Sequence, residues 1–307
     1  MARISFLGSE KQRPRLSRVE SMPRASTSLD NLLVLHYPAK DSIGPSDVLR
    51  LIEELPRRNQ IKRLNLLLNS AGGNIYSAYK AINVIRSRCK TLRVFVPVYA
   101  KSAATLMTLG SDEIVMGYQS ELGPLDAPIE HPIVEGIRLS AMDGINALDF
   151  LFGFCDYVTF ELGLHIRKDA QLSRKDSLQL ALDFATKYTQ PVVAKLDPLV
   201  VNMCYRYLQI AEKYATELLL SYMFKNKTNK EDLAEEISHK LVYEYPEHGF
   251  AICCKEARRL GLNISKADQV QGWDDVWKIH LKLASRGLKM VHFLNRNRLN
   301  EILSGRS

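Results

Sequence analysis

The chain has 307 residues, and 46% of them are hydrophobic, which is enough to bury the core of one large domain or two smaller ones. Its five cysteines are an odd number without framework spacing, which excludes a disulfide-stapled fold and favours a reducing cytoplasm. The formal net charge is +8, and part of this excess lies in residues 1–30, a polar basic leader that we expect to be disordered. No apolar run is long enough for a signal peptide or a membrane span, so we expect neither.

From Asn31 onward, short apolar runs alternate with helical periodicity, which predicts an α/β fold of stacked ββα units. Predicted strands lie at Leu32–Leu35, Leu64–Leu68, Leu92–Val96 and Glu113–Met116. Predicted helices lie at Pro45–Glu54, directly after the glycine pair Gly72–Gly73, and at Ala103–Leu109.

Beyond about Pro132 the helical period dominates, which predicts a helical C-terminal half that packs on the sheet or mediates assembly. The clearest predicted helices are Leu178–Val193, Val200–Leu220, a short helix ending at Gly261, and a basic amphipathic helix or helix pair at Trp273–Ile302. We therefore divide the chain into a leader (1–30), a main domain (31–270, with a core at 31–130 and a helical part at 131–270) and a basic helical extension (271–307). The apolar segment Phe150–Phe160 suits an interface between subunits or a buried position within one.

Two strand-to-helix turns carry residues that suit acyl transfer. The glycines of the segment Asn69–Gly73 (Asn-Ser-Ala-Gly-Gly) leave backbone amides uncovered, so that they can bind an anion. Taken alone, however, such a segment is more often a tight turn that binds no ligand. Ser102 lies at the start of the next predicted helix, which is made of small residues. A serine in this position, taken alone, is more often a helix cap than a nucleophile, and the amide of Ala103 after it can donate to an oxyanion. Together, however, a serine and bare amides on neighbouring turns are the minimum apparatus for nucleophilic attack and oxyanion stabilisation.

These turns, with the stretches Ser102–Met116 and Glu121–Asp126, resemble the serine dehydrogenase proteinase family of Clp-fold serine peptidases, in the ClpP/crotonase superfamily. The resemblance implies a Clp/crotonase-like fold and a serine peptidase that acts on protein or peptide substrates through an acyl-enzyme. It implies Ser102 as the nucleophile, with an oxyanion hole formed by the amides of Gly72 or Gly73 and of Ala103. It also implies a homo-oligomer, in which any ATP dependence would come from a partner unfoldase.

The sequence leaves two candidates for the general base, Lys187 and His248. Clp protease has a histidine on the strand after the nucleophile helix, whereas the matching stretch here, Glu121–Pro124, has none. Lys187 would serve if burial let it lose its proton near neutral pH, and otherwise it is a solvated helical lysine. His248 has a suitable imidazole beside the small Gly249, and otherwise it is a structural loop histidine.

Three further residues near these motifs receive lesser roles. His131 ranks third as a base because it lies beyond the matching strand. Asp126 is expected to fix a turn rather than to take a proton. Lys101 precedes the nucleophile in sequence and is expected to be a surface charge.

Two other function classes compete with the peptidase. A catalytically silent Clp-fold scaffold or binding module would explain the missing histidine, and a crotonase-like acyl-CoA enzyme would also use two amides to hold an oxyanion. The histidines and cysteines lack zinc-ligand spacing, and no phosphate-binding glycine loop is present, so we expect no metal or cofactor. We expect no nucleic-acid partner, although the basic leader leaves salt-dependent binding open to test.

Overall fold

The computed structural model describes residues 29–56, 61–126, 128–130 and 138–303, so the predicted leader lies outside the described residues apart from Leu29 and Asp30. The first half is α/β, and every strand and helix predicted there is present, with strand ends up to three residues longer than expected. Its elements in chain order are β1 (Asn31–His36), α1 (Pro45–Glu54), β2 (Ile61–Asn69), α2 (Ile75–Arg86), β3 (Cys89–Val96), β4 (Tyr99–Ala100), α3 (Ala103–Leu109), β5 (Glu113–Met116), β6 (Glu121–Leu122), β7 (Pro128–Glu130) and β8 (Arg138–Ser140).

The second half is mainly helical, as predicted. The elements in chain order are α4 (Ala141–Asp169), α5 (Arg174–Val193), α6 (Pro198–Leu218), α7 (Lys230–His239), β9 (Ile252–Cys253), α8 (Cys254–Arg259), β10 (Ile264–Lys266), α9 (Trp273–Ser285), β11 (Met290–Asn295) and α10 (Arg296–Leu303). Gly261 follows α8 with φ +95°, the left-handed conformation expected of a glycine after a helix. Among the helices in the described ranges, none combines the length and apolarity needed to cross a bilayer.

A six-stranded sheet in the order β10-β5-β3-β2-β1-β11 forms the centre of the fold. The first five strands run parallel, whereas β11 runs antiparallel to β1, with Asn31 opposite Asn295. The prediction of a helix or helix pair over Trp273–Ile302 is therefore wrong in part, because a strand separates two helices there. The strand was hidden because its six residues lie between two helical segments, so a window long enough to detect periodicity averages over them.

Both faces of this sheet are buried, which is why β1 reads as a continuous apolar run. Leu33 and Leu35 join the larger core, which lies with α1, α2 and α3. Leu32 and Val34 point to the opposite face and pack in a smaller core with residues of α9 such as Val276 and Ile279. Since side chains alternate along a strand, layers on both sides are required to cover such a run.

Asp112, ten residues after Ser102 in the chain, links the sheet to the helices. Its carboxylate accepts hydrogen bonds from Arg86 (2.5 Å), Lys225 (2.8 Å) and the amide of Leu92 (2.8 Å). Burial raises the pKa of Asp112, but the bonds from Arg86 and Lys225 outweigh burial and hold this pKa below its usual value. These contacts give Asp112 a structural role at the start of β5.

Two buried histidines contact each other on the side of the sheet that α9 covers. His36 at the end of β1 is 2% exposed and His280 on α9 is 6% exposed, and their ring centroids lie 5.2 Å apart. His36 Nδ1 lies 2.9 Å from the carbonyl oxygen of Leu288, and the Trp277 ring lies beside His280. Burial, and then the neighbouring His36, lower the pKa of His280 to about 4, and burial also lowers the pKa of His36.

This pair predicts that acid destabilises the fold. An unfolded histidine titrates near pH 6.5, so between about pH 6.5 and 4 the unfolded chain binds a proton that folded His280 does not, and the free energy of unfolding falls as pH falls. Urea unfolding at pH 7 and pH 5 should show a loss of stability that is about 1 to 2 kcal/mol smaller in His280→Gln than in the wild type. The exposed His165→Gln variant serves as control and should lose as much as the wild type. An equally steep loss in His280→Gln would contradict this account.

Candidate active site

Ser102 lies on the tight turn between β4 and α3. Its backbone has φ +51° and ψ −121°, a conformation that costs a non-glycine residue about 1 to 3 kcal/mol. The turn is held by hydrogen bonds from the amide of Lys101 to the carbonyl of Ser70 (3.0 Å) and from the amide of Ala104 to the carbonyl of Lys101 (2.9 Å). The Ser102 side chain makes no capping hydrogen bond, although the residue occupies the N-cap position. Its hydroxyl is thus not used by the helix.

The glycine turn after β2 packs directly against the Ser102 turn. Gly72 has φ +114°, and a Cβ placed there would lie 2.9 Å from the carbonyl oxygen of Lys101 and 3.0 Å from Cβ of Ser102. Gly73 has φ +145°, and its Cβ would lie 2.4 Å from the carbonyl oxygen of Ile43. Both positions therefore require glycine, for conformation and for space. The two turns are neighbours, as the sequence predicted.

The amides around the Ser102 turn differ in whether they are free to bind a ligand. The amide of Gly72 donates to Ser70 Oγ at 3.1 Å. By contrast, the amides of Gly73 and Ala103 have no acceptor in the part of the chain that the structure describes. Gly73, Ala103 and Ser102 line one cavity of about 140 Å³. Two residues that line the cavity beside the serine thus carry backbone donors without an acceptor in the described ranges, which is what an oxyanion hole requires.

Thr105, one turn into α3, is committed to holding the site together. Its Oγ1 atom lies 2.7 Å from the carbonyl oxygen of Ala100 and accepts a hydrogen bond from the amide of Gly123 at 3.0 Å. These contacts tie the start of the nucleophile helix to the segment after β6. The threonine is fully buried and its hydroxyl is engaged, and Ser102, not Thr105, is among the residues that line the cavity.

Asp126 connects this cavity to a histidine. It lines the cavity with Ser102, is 3% exposed, and accepts a hydrogen bond from the hydroxyl of Ser140 at one carboxylate oxygen. Its other oxygen is hydrogen-bonded to Nδ1 of His248, 122 residues further along the chain. When Nδ1 donates to the carboxylate, the neutral imidazole keeps its lone pair at Nε2. The sequence-based expectation of a turn-fixing Asp126 missed this pairing.

Lys101 supports the same arrangement from outside the cavity. Its ammonium lies 2.9 Å from the carbonyl oxygen of Gly249 and 2.9 Å from a carboxylate oxygen of Glu121. The residue before Ser102 is thus bonded to the residue after His248. The expectation of a surface charge did not include this contact, for which the local sequence carries no signal.

Of the two remaining base candidates, the structure describes only Lys187. Lys187 is exposed on α5, and no residue of that helix lines the Ser102 cavity among the residues described. His131 lies outside the described residues. The structure therefore brings together Ser102, Gly72, Gly73 and Ala103. His248 does not line the cavity but is bonded to Asp126, which does, whereas Lys187 has no such link among the described residues.

The strained turn predicts an unusual order of stability for variants of Ser102. Alanine keeps a Cβ at positive φ, whereas glycine does not, so Ser102→Gly should have a free energy of unfolding about 1 kcal/mol higher than Ser102→Ala. Urea unfolding measures the difference. Ser285, the exposed last residue of α9, is the control, and there glycine should not be more stable than alanine. If Ser102→Ala were the more stable variant, the strained conformation would be wrong.

Comparisons with known proteins agree with the motifs. Residues 9–141 match the family profile described as ClpP-like SDH-type serine proteinase. Two uncharacterized proteins of Methanocaldococcus jannaschii are similar, one at 23% identity over 44% of this chain and 51% of its own length, the other at 27% identity over 39% and 40%. The chain thus spans about half the length, or less, of the curated relatives it matches.

Two solved structures are also similar, and both are titled 1510-N membrane-bound stomatin-specific protease. One has a TM-score of 0.28 at 14% identity and covers 48% of this chain and 68% of its own. The other, in complex with a substrate peptide, has a TM-score of 0.24 at 17% identity and covers 67% and 76%. These scores are low, so the site rests on the geometry of this chain. The resemblance predicted from the motifs is nevertheless confirmed: residues 9–141 match the ClpP-like SDH-type serine proteinase family.

Proposed function

We propose that this protein is a serine peptidase that uses Ser102 as nucleophile and His248 as general base. The observation that carries the proposal is the hydrogen bond between Asp126 and His248, because Asp126 lines the cavity that holds Ser102. A nucleophile, a base oriented by a buried carboxylate and two free amides are the parts that acyl transfer requires. Lys187, the alternative base, is exposed on α5.

In the proposed reaction, Ser102 Oγ forms a bond to the scissile carbonyl carbon and its proton passes to Nε2 of His248. The carbonyl electron pair moves to the oxygen, which accepts hydrogen bonds from the amides of Gly73 and Ala103. Collapse of this intermediate breaks the C–N bond, and the leaving amine takes the proton from His248. Water then attacks the acyl carbon while His248 accepts one of its protons. The bond between Ser102 Oγ and the acyl carbon breaks, His248 returns the proton to Oγ, and the carboxylic acid product leaves.

Asp126 would hold the His248 ring in the required tautomer and stabilise the imidazolium that forms during each proton transfer. Ser140 would fix the second oxygen of Asp126, and Lys101 would anchor the loop that carries His248 through its bond to Gly249. These are positioning roles, because each acts through another residue.

The proposed substrates are proteins or peptides. The cavity beside Ser102 has a volume of about 140 Å³ and is lined further by Ile75, Leu125 and Tyr207. We infer that the substrate residue next to the cleaved bond is small and uncharged. We also propose that the protein acts as a homo-oligomer in a reducing compartment, where the cysteines that the structure describes stay as free thiols.

Covalent labelling tests the nucleophile. A fluorophosphonate probe should label the wild type, and Ser102→Ala should lose the label because the attacking oxygen is gone. Ser285→Ala, an exposed serine on α9, is the matched control and should label like the wild type. Intact mass spectrometry measures the adduct. Labelling that persists in Ser102→Ala would overturn the assignment, and an unlabelled wild type would favour a non-catalytic scaffold.

The base is tested by the rate of the same labelling reaction. His248→Ala should label about 10²-fold more slowly or worse, because a general base typically contributes 10²- to 10⁴-fold, and Asp126→Asn should also slow the reaction. Added imidazole should restore much of the rate to His248→Ala but not to Ser102→Ala, and a merely structural histidine would not give this rescue. Lys187→Ala should label at the wild-type rate. Loss of labelling in Lys187→Ala with an unaffected His248→Ala would instead support a serine–lysine pair.

A further inference from the structure

An apolar stripe runs along the exposed face of α4. It consists of Phe150, Tyr157, Phe160 and Leu164, which are 71%, 65%, 65% and 57% exposed. Their spacing of seven, three and four residues places them on one side of the helix. The other sides of α4 contact α5, where Gly163 meets Ala181 and Phe154 meets Tyr188. We call this exposed set the α4 stripe.

Two further features indicate that the α4 stripe faces a partner. Gly153 lies within it, and a Cβ added there would meet nothing within 4 Å, although a glycine inside a helix costs about 1 kcal/mol relative to alanine. An absent side chain on an open face allows another surface to approach closely. The stripe is also flanked by the exposed acids Asp149, Asp156 and Glu161, and no lysine or arginine occurs from residue 141 to residue 166.

A groove of complementary character is lined by residues outside α4. Its volume is about 1330 Å³, and it lies between the β5–β6 turn, α8, the end of β10 and α9. Three aromatic residues line it: Tyr118, which is 97% exposed, and the stacked Trp273 and Trp277, whose ring centroids lie 6.2 Å apart. We call this the basic groove, because four cationic side chains and only two carboxylates line it: Lys255, Arg258, Arg259 and Lys266, against Asp268 and Asp274.

We propose that the α4 stripe of one copy of the chain docks in the basic groove of a second copy. The acidic flanks of the stripe match the excess positive charge of the groove, and charge complementarity of this kind selects partners. Tryptophan, tyrosine and arginine, which line the groove, are the residues enriched at interface hot spots. An amphipathic helix that lays an apolar face into such a groove is a recurring mode of recognition.

Charge also disfavours two other partners for the α4 stripe, namely the same stripe of a second copy and an anionic membrane surface. Pairing the α4 stripe with the same stripe of a second copy would bring Asp149, Asp156 and Glu161 close to their own counterparts, and juxtaposed like charges cost several kcal/mol. An anionic membrane surface would repel the same carboxylates, since such surfaces attract basic segments. A second copy that presents the basic groove meets neither objection.

The docked contact is head-to-tail, because the stripe and the groove are different surfaces. Each copy in a pair keeps one unused stripe or groove, so assembly continues to a closed ring or an open chain. The helix α4 begins directly after Ser140, whose hydroxyl binds Asp126, so the docked helix is attached to the proposed active site. The contact is independent of catalysis, and its failure would leave the proposed peptidase chemistry untouched.

Complementation between two variants tests the proposal. The stripe variant carries Tyr157→Ala and Phe160→Ala, and the groove variant carries Lys255→Glu and Arg259→Glu, each in the full chain with Ser102→Ala to prevent self-cleavage. Sedimentation velocity should show an oligomer for the parent chain and at least about tenfold weaker association for either variant alone. An equal mixture should form a dimer, because one intact stripe then meets one intact groove. Leu199→Ala, an exposed change on α6, should sediment like the parent chain.

Several outcomes would overturn the proposal. These are a monomeric parent chain, a groove variant that assembles normally, and a mixture that remains monomeric. Binding of a monomeric parent chain to vesicles of phosphatidylcholine and phosphatidylglycerol would assign the α4 stripe to a membrane surface instead. Circular dichroism establishes that each variant is folded. If the double alanine variant does not fold, Asp156→Lys replaces it as the stripe variant, with the same expected result.

Discussion

The close approach of two backbone turns is the constraint on which the site depends. Gly73 fits against Ile43 and Gly72 against the Lys101–Ser102 peptide only because neither glycine has a side chain. Ser102 has positive φ beside this contact, and Gly73 and Ala103, whose amides have no acceptor among the described residues, line the same small cavity. A strained backbone conformation persists only where the surrounding structure holds it in place. At Ser102 the sheet, α3 and the glycine turn together hold it.

A single buried carboxylate then connects the two halves of the chain. Asp126 follows the nucleophile helix in the half that matches the proteinase family, and it binds His248 from the helical half and Ser140 at the start of α4. A buried carboxylate needs such partners, because an unpaired one would cost several kcal/mol. The hydrogen bond that compensates the buried charge of Asp126 therefore also holds His248 in position. The same residue links the proposed chemistry to the helix that carries the α4 stripe.

The sequence predicted much of this fold and the proximity of the two turns in the candidate site, for reasons that are local. The strands of residues 31–130 are apolar runs buried on both faces, and Ser102, Gly73 and Ala103 lie on turns that their own residues specify. By contrast, the sequence left the amides of Gly72 and Gly73 as alternative oxyanion donors. The Gly72 amide is occupied because it donates to Ser70 Oγ, a contact that the sequence does not reveal. The Asp126–His248 and Lys101–Gly249 pairs join residues 122 and 148 positions apart, which no local pattern encodes. The strand β11 was missed because its six residues lie between two helical segments that dominate the local periodicity.

The central claim is that Ser102 and the amides of Gly73 and Ala103 act on one carbonyl group. A crystal structure of the fluorophosphonate adduct tests this most directly, because the phosphonyl group imitates the tetrahedral intermediate. We expect phosphorus on Ser102 Oγ, a phosphonyl oxygen about 3 Å from both amides, and Nε2 of His248 turned towards Ser102. An adduct on another residue, or a phosphonyl oxygen bound away from Gly73 and Ala103, would contradict the account.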